Sequence, residues 1–278
     1  MSATDFRARV VGGALVGVVQ GSGPPVLVLH GGPGLSFGYM GGLIDELTPG
    51  YRVASYQQRG LAPSITRGPF TVDQHVADLA AVLDALEWPR AYVVGHSWGG
   101  YLLLAAAAQL GERLIAGICV DSIGVVGDGG VAEFEREMSE RTPADVRSRA
   151  EELDQKAMAG DGTEEEALES MRLFWPAYFA NAQPPPMPKI RLSVDTYSQT
   201  LDSMTESMSA LATALANVEL PVVFLYGTES PIPATASTEL AEIMSRAEVM
   251  PVERTGHFIW LERSGVVRTA LDRLVGAE

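Results

Sequence analysis

The stretch 95–99 reads Gly-His-Ser-Trp-Gly and places Ser97 between two glycines. A short apolar run at 91–94 precedes it, and an alanine-rich apolar segment begins at Trp98. This context predicts a sharp turn from a strand into a helix, on which a strained backbone exposes the serine hydroxyl. Side chains in place of the two glycines would collide across so tight a turn. The stretch therefore predicts nucleophilic chemistry by Ser97.

A serine nucleophile needs a base, and among the four histidines His257 fits that role best. It lies in a loop behind the last apolar run, late in the chain, as the order serine, acid, histidine requires. His75 lies within a predicted helix and is expected to be a packing or surface residue. His30 is expected to form structural hydrogen bonds, and His96 occupies the variable position of the serine turn.

The stretch 30–34, His-Gly-Gly-Pro-Gly, follows another apolar run at 26–29. Glycines allow backbone N–H groups to approach a ligand closely, and proline stiffens the loop without adding a donor. We expect the amides of Gly32 and Trp98 to hold the negative charge that develops when a serine attacks a carbonyl group. We expect Gly31 to contact the substrate.

Short apolar runs recur along the chain and predict strands, most of them buried on both faces as in a parallel sheet. Helical patterns alternate with these runs, which predicts an α/β fold with a mainly parallel central sheet flanked by helices. The predicted strands are 6–11, 14–19, 25–29, 52–56, 91–94, 115–120, 222–226 and 247–252. The predicted helices between and after them are 72–86, 98–110, 235–244 and 264–274.

Residues 124–217 interrupt this alternation because they contain no buried-strand run. We interpret them as a helical cap inserted after the strand that ends near Asp121, with 1–123 and 218–278 forming the core domain. Such a cap would lie over the edge of the sheet where ligands bind. Its predicted helices are 131–139, 143–158, 163–178 and 196–215, with a proline-rich turn at 183–188.

Aromatic side chains of the predicted cap are candidates for substrate contacts. Phe174, Trp175 and Tyr178 lie close together in the sequence, and several methionines occur in the same segment. They indicate a mainly apolar pocket, although aromatic residues at helical spacing also occur in ordinary cores.

Composition and charge narrow the function classes. The formal net charge of −15 disfavours nucleic acid and anionic membranes as partners, so we expect a small-molecule substrate. One cysteine, Cys119, excludes an intrachain disulfide, and four scattered histidines do not resemble a metal cluster. We expect no metal and no cofactor. No signal peptide or apolar span is evident, and a cytoplasmic protein is expected.

These stretches together resemble the α/β-hydrolase family over nearly the whole chain. The HGGPG stretch at 30–34 and the GHSWGG stretch at 95–100 look most like the proline iminopeptidase subgroup. Two features depart from that subgroup. Gln57 stands where the subgroup has the aspartate of an Asp-Gln-Arg-Gly stretch, and no glutamate closely follows Trp175, where cap glutamates would hold the free amine of a substrate.

The acid of the expected triad is not at its usual position. In many α/β-hydrolases it is the fourth residue of a Gly-x-x-Asp pattern, but here Ser230 occupies that position. Asp121 follows the preceding strand, where some branches of the family carry the acid, and it is our first choice. Glu229 is the second choice, and a site without an acid is the third.

The resemblance and the motifs together predict a serine hydrolase. Its expected substrate is a carboxylic ester or lactone of a mainly apolar small molecule, cleaved through an acyl-enzyme. A proline iminopeptidase-like aminopeptidase and a non-hydrolytic ligand-binding or lyase-type protein are the alternatives. Epoxide hydrolases and dehalogenases of this fold attack with aspartate, so the serine argues against both.

Overall fold

The computed structural model describes residues 3–181 and 183–276, which form an eight-stranded sheet with helices on both faces. Strand order across the sheet is β1-β2-β4-β3-β5-β6-β7-β8. The strands are β1 (Thr4–Val10), β2 (Gly13–Gly21), β3 (Pro25–Leu29), β4 (Arg52–Gln57), β5 (Ala91–His96), β6 (Leu114–Val120), β7 (Val222–Gly227) and β8 (Ala247–Val252).

Six strands run parallel, and only the β1–β2 and β2–β4 pairs are antiparallel among the described strands. From β3 the chain first pairs to one side, with β4, and then returns to the other side, with β5. The loops after β3 and β5 therefore diverge and leave a crevice at their carboxyl ends, which is where parallel α/β sheets bind ligands.

Ten α-helices accompany the described strands. They are α1 (Gly41–Leu47), α2 (Val72–Ala85), α3 (Trp98–Leu110), α4 (Val131–Arg141), α5 (Ala144–Met158), α6 (Glu164–Phe174), α7 (Val194–Leu215), α8 (Thr235–Ile243), α9 (Ile259–Glu262) and α10 (Val266–Gly276). Helices α4 to α7 all fall between β6 and β7 in the sequence.

Two apolar clusters, one on each face of the sheet, bury the strands. In β3, Leu27 and Leu29 pack into one cluster with α2 and α3, whereas Val26 and Val28 pack into the other with α1 and α10. Successive side chains of a strand point to opposite faces, so a strand covered on both faces must be apolar throughout. This confirms the α/β fold predicted from the apolar runs, with a mainly parallel central sheet flanked by helices.

The predicted helix 163–178 changes character at its end. Helix α6 stops at Phe174 and continues as a single 3-10 turn over Trp175–Tyr178. Pro176 explains the change, because a proline inside a helix removes one backbone hydrogen bond and clashes with the preceding turn. The turn presents Trp175 and Tyr178 toward the carboxyl ends of the strands. Among the described residues, no helix is both long and apolar enough to cross a membrane.

Candidate active site

Ser97 lies at the turn between β5 and α3 with a backbone conformation that is rare for a side-chain-bearing residue. Its φ is 55° and its ψ is −122°. The turn is held in place because the Ser97 N–H donates to the Val120 carbonyl at 3.0 Å and the Gly100 N–H donates to the Ser97 carbonyl at 2.9 Å. Neighbouring contacts thus fix a strained conformation that points the hydroxyl into a cavity.

The glycines on either side of Ser97 are required by close backbone packing. A Cβ atom on Gly95 would lie 2.1 Å from the carbonyl oxygen of Gly99. A Cβ on Gly99 would lie 2.3 Å from the carbonyl oxygen of Leu29, in the adjacent strand β3. Both distances are far below contact, so any other residue would displace either the serine or the strand beside it.

His257, in the loop between β8 and α9, is oriented by Asp121 at the end of β6. The His257 Nδ1 lies 2.6 Å from the Asp121 Oδ2, and the side chains of both residues are almost fully buried. An Nδ1–H that donates to the carboxylate leaves Nε2 as the basic atom of the ring. His257 and Ser97 line the same cavity. The structure therefore brings Asp121 to His257 on the cavity that Ser97 also lines.

The Asp121 carboxylate accepts two further hydrogen bonds. The Gly227 N–H donates to Oδ1 at 3.0 Å, and the Ser230 hydroxyl donates to Oδ2 at 2.5 Å. Ser230, at the position where the acid was first sought, thus supports Asp121. Glu229 is exposed and makes no contact with His257, because β7 ends at Gly227 and the following turn directs this side chain to solvent.

The predicted oxyanion amides lie at the mouth of the same cavity. Gly32 and Trp98 both line it. Trp98 is the first residue of α3, so its N–H has no acceptor within the helix. Gly32 adopts a φ of 57°, which suits a glycine, and a Cβ there would collide with Leu35. The two amides can therefore stabilise negative charge beside Ser97.

Gly31 has a different place from the one expected. It does not line the cavity in the described part of the chain, and its N–H donates to the Tyr39 hydroxyl at 2.6 Å. A Cβ on Gly31 would lie 2.8 Å from the Ser97 Cβ. Gly31 therefore allows two loops to pack closely, and its contact with a substrate stays a prediction.

A chain of hydrogen bonds connects this loop to the backbone of His257. The Tyr39 hydroxyl, which accepts from Gly31, lies 3.0 Å from the His96 Nδ1, and the His96 Nε2 lies 3.2 Å from the His257 carbonyl. A carbonyl can only accept, so the His96 Nε2 must carry a proton, and in a neutral ring Nδ1 is then an acceptor. Tyr39 donates to Nδ1, and His96 is neutral with its proton on Nε2.

Burial agrees with a neutral His96. Desolvation, and secondarily the nearby His257, hold the pKa of His96 well below its ordinary value. The His257 N–H in turn donates to the Tyr178 carbonyl at 2.7 Å. His96 therefore positions the backbone of His257, and a 3-10 turn of the helical insertion holds the other side.

Buried amide side chains hold the loop that carries the oxyanion amides. The Gln58 side chain donates to the His30 carbonyl at 3.0 Å and accepts from the Trp98 indole N–H at 2.8 Å. Gln57, which replaces the subgroup aspartate, donates to the Leu35 carbonyl and accepts from the Phe37 N–H. Gln57 can do both because an amide, unlike a carboxylate, carries donors as well as an acceptor.

The other histidines are structural. Burial lowers the pKa of His30 to about 4 and that of His75 to about 3, so neither carries charge at neutral pH. His30 Nδ1 lies 3.0 Å from its neighbour's carbonyl, and the His75 ring packs edge-on against Trp98. His75 is thus a packing residue in the core.

The cavity above Ser97 has a volume of about 180 Å³ and lies between the strand ends and the helical insertion. Phe174, Trp175 and Tyr178 all line it, with Phe258 beside them, and Tyr178 stacks near His257 at a ring distance of 5.3 Å. Most of the wall is aliphatic or aromatic. Such a cavity accepts an apolar group next to a few directed polar groups.

The family of this chain follows from residues 24–264, which match the model of the alpha/beta hydrolase fold family. The chain belongs to the α/β-hydrolase family. Its structure is similar to that of a mutant of the meta-cleavage product hydrolase CumD. The similarity covers 100% of this chain and 98% of that chain, with a TM-score of 0.69 at 23% identity. At that identity the likeness shows the fold alone.

Sequence relatives in the family cover only parts of the chain. The carbamate hydrolase RutD of Caulobacter segnis is 35% identical over 34% of this chain and 36% of its own length. A 2-hydroxy-6-oxo-2,4-heptadienoate hydrolase of Pseudomonas putida is 32% identical over 44% and 48%. A proline iminopeptidase of Heyndrickxia coagulans is 38% identical over 31% of both chains. The matched segments therefore span less than half of these relatives.

Three residues of the site had no signal in the sequence. Tyr39 lies in an irregular segment, and its contact with His96 joins residues 57 positions apart. In the sequence, Ser230 was noticed only as the residue that stands where the acid of the triad was expected. Asp154, which also lines the cavity, is one of many acids in the insertion, and only packing separates it from those that face solvent.

Proposed function

We propose that the protein is a serine hydrolase that cleaves a carboxylic ester or lactone through an acyl-enzyme. The hydrogen bond of 2.6 Å between Asp121 and His257, with Ser97 on the same cavity, carries this proposal. A base oriented by a carboxylate, on the same cavity as a partly exposed serine, is an arrangement that suits acyl transfer.

In the first half of the reaction, the Ser97 Oγ attacks the carbonyl carbon and its proton passes to the His257 Nε2. Asp121 keeps the Nδ1–H in place and stabilises the imidazolium that forms. The amides of Gly32 and Trp98 donate to the oxyanion. As the tetrahedral intermediate collapses, the bond to the leaving group breaks, and His257 returns the proton to the leaving oxygen.

In the second half, a water molecule attacks the acyl group on Ser97. His257 accepts a proton from the water and then donates it to the Ser97 Oγ as the ester bond breaks. The acid product leaves, and the resting site is restored. Each step uses side chains and backbone amides of this chain together with one water molecule. We propose that residues 124–217 act as the lid that closes over the site.

The substrate class rests on the cavity wall. Aliphatic and aromatic side chains dominate it, which favours an acyl group that is mainly apolar next to the serine. The formal charge of −15 disfavours polyanions, so we propose a small-molecule substrate and no nucleic acid or membrane partner. As a separate proposal, we place the protein in the cytoplasm.

The serine mechanism is tested with a fluorophosphonate probe and a panel of p-nitrophenyl esters, aryl lactones and anilides. We expect the wild type to be labelled and to turn over esters or lactones faster than anilides, and Ser97→Ala to do neither. Labelling that persists in the variant would show that another residue is the nucleophile. No labelling of either protein would favour a non-hydrolytic protein, and either result would contradict the proposal.

An aminopeptidase of the proline iminopeptidase kind is the second candidate. The partial identity to such an enzyme and a carboxylate in the cavity wall, Asp154, favour it. Comparing proline p-nitroanilide with p-nitrophenyl esters separates the two candidates. Faster turnover of the anilide would replace the esterase proposal by this one.

A further inference from the structure

The insertion contributes two carboxylates to the wall of the cavity. Asp154 of α5 and Glu135 of α4 both line the space that contains Ser97 and His257. No lysine or arginine is found among the lining residues within 3–181 and 183–276. The potential inside this cavity is therefore negative on the side of the insertion.

Asp154 has no compensating partner within the described residues. Its carboxylate takes part in no hydrogen bond or ion pair there, although it is partly buried. Two other acids of the same helix are paired: Glu151 accepts from the Ser139 hydroxyl, and Glu152 pairs with Arg149 and Lys156. A carboxylate held in an apolar wall without a cation or donor costs folding free energy that the chain itself does not recover.

The groups around Asp154 offer it little compensation. Desolvation, and then the charge of Glu135, raise the pKa of Asp154 to about 6. From the other elements, Tyr178 and Tyr197 face it, and burial together with Asp154 raises the pKa of each phenol. The residues of α6 that line the cavity, Ala167 and Ser170 among them, do not titrate.

We infer that Asp154 selects the charge of the substrate, favouring one that carries a cationic group, such as an ammonium, and rejecting carboxylates. A cation near Asp154 recovers the interaction that the protein leaves open, whereas an anion is repelled by the partly buried Asp154 and, more weakly, by the exposed Glu135. The inference rests on the proposed function, because it concerns the substrate of the same cavity. It also separates this chain from its dienoate hydrolase relative, whose named substrate is an anion.

Three p-nitrophenyl esters of matched shape test the inference: those of 4-(trimethylammonio)butyrate, 5,5-dimethylhexanoate and 4-sulfobutyrate. Their ends are a quaternary ammonium, a tert-butyl group and a sulfonate, and none of these titrates. At pH 8 we expect kcat/KM to fall by about tenfold from cation to neutral ester, and by a similar factor to the sulfonate. Equal values, or a preference for the sulfonate, would overturn the inference.

The variant Asp154→Asn preserves shape and removes the charge. We expect it to lower the ratio of kcat/KM between the cationic and sulfonate esters by at least about tenfold. Asp145→Asn is the matched control, because Asp145 is an exposed acid of the same helix that does not line the cavity. An equal change of the ratio in both variants would show a long-range effect of net charge and contradict a role for Asp154.

The pH dependence of the wild-type protein gives a further test, which does not depend on whether a variant folds. The ratio of kcat/KM for the cationic and sulfonate esters cancels pH effects on the chemical steps that the two esters share. Because the pKa of Asp154 is raised to about 6, this ratio should increase as the pH rises from 5 to 7. A ratio that stays constant over this range would contradict the inference.

Binding separates this inference from the proposed function. The N-methylamides of the same three acids can be titrated calorimetrically into Ser97→Ala, which needs no turnover. Tighter binding of the cation would support charge selection even if no ester were cleaved. Equal binding of all three amides would contradict charge selection by Asp154. It would not bear on the serine mechanism, which the labelling experiment tests.

Discussion

The two walls of the cavity are built on different principles. On the wall formed by the strand ends, the polar groups around His257 are paired: Asp121 accepts three hydrogen bonds, and His96 uses both ring nitrogens. The wall formed by the insertion is mainly apolar, and within the described residues its Asp154 has no partner.

The difference separates two tasks. Acyl transfer needs groups that are already oriented before charge develops, and the hydrogen bonds of Asp121 and His96 on the strand-end wall provide that orientation. Selection of a substrate needs interactions that are completed only when the ligand arrives. We infer that the strand-end wall sets the chemistry and the insertion wall sets the choice of substrate, and the following changes test that division.

The largest effect is expected from Ser97→Ala, which removes the nucleophile of the strand-end wall. Loss of a triad serine lowers kcat by about 10⁶-fold. Ester hydrolysis under saturating substrate measures the loss, and circular dichroism controls for folding, since alanine requires no new space. Residual activity above about a thousandth of the wild type would show that another group attacks the substrate.

Asp121→Asn is expected to have the next largest effect, about 10⁴ in kcat, because asparagine favours the wrong tautomer of the base. Glu229→Gln is the matched control, since Glu229 is exposed and does not contact His257. Both variants are compared by kcat with the same ester. A large loss in Glu229→Gln with little change in Asp121→Asn would reverse the assignment of the acid.

Ser230→Ala tests the support of the acid. The serine hydroxyl donates to Asp121 and accepts from the Ile232 N–H at 3.0 Å, so alanine leaves one donor and one acceptor unsatisfied. We expect about 1–3 kcal/mol lower free energy of unfolding and about tenfold lower kcat. Denaturant unfolding and ester kinetics give the two values. Unchanged kcat would show that two donors suffice to orient Asp121.

The smallest effect is expected from Tyr39→Phe, which breaks the hydrogen-bond chain to His96 without touching the triad. Both the Gly31 N–H and the His96 Nδ1 lose their partner, at about 1–3 kcal/mol in the free energy of unfolding. We also expect kcat to fall a few-fold with little change in KM, because the positioning of His257 affects the transition state. An increase in KM alone would instead place Tyr39 in substrate binding.

The sequence was most informative where a local backbone conformation requires particular residues at neighbouring positions. The turn at Ser97 needs glycines on both sides, so it can be recognised from a short stretch of sequence. The strands are buried on both faces, which makes each a continuous apolar run. By contrast, the sequence left Asp121 and Glu229 as competing acids, because both follow strands and the choice depends on the direction of a side chain.

The sequence was least informative in the insertion, where helices carry many acids on solvated faces. Nothing in the residue types distinguishes Asp154 from Asp145, which lies nine positions earlier on the same helix. Nothing in the residue types indicated that the Gly31 amide would donate to the Tyr39 hydroxyl. Both outcomes depend on contacts between distant elements.

By itself, the sequence determined the α/β-hydrolase fold and placed Ser97 and His257 as the nucleophile and base to be tested. It did so because tight turns and buried strands restrict which residues fit at consecutive positions. Only the tertiary structure decided which carboxylate meets His257, which hydroxyl supports it, and which acid faces the cavity. Those are properties of the distance and direction between side chains far apart in the chain, and residue type alone does not encode them.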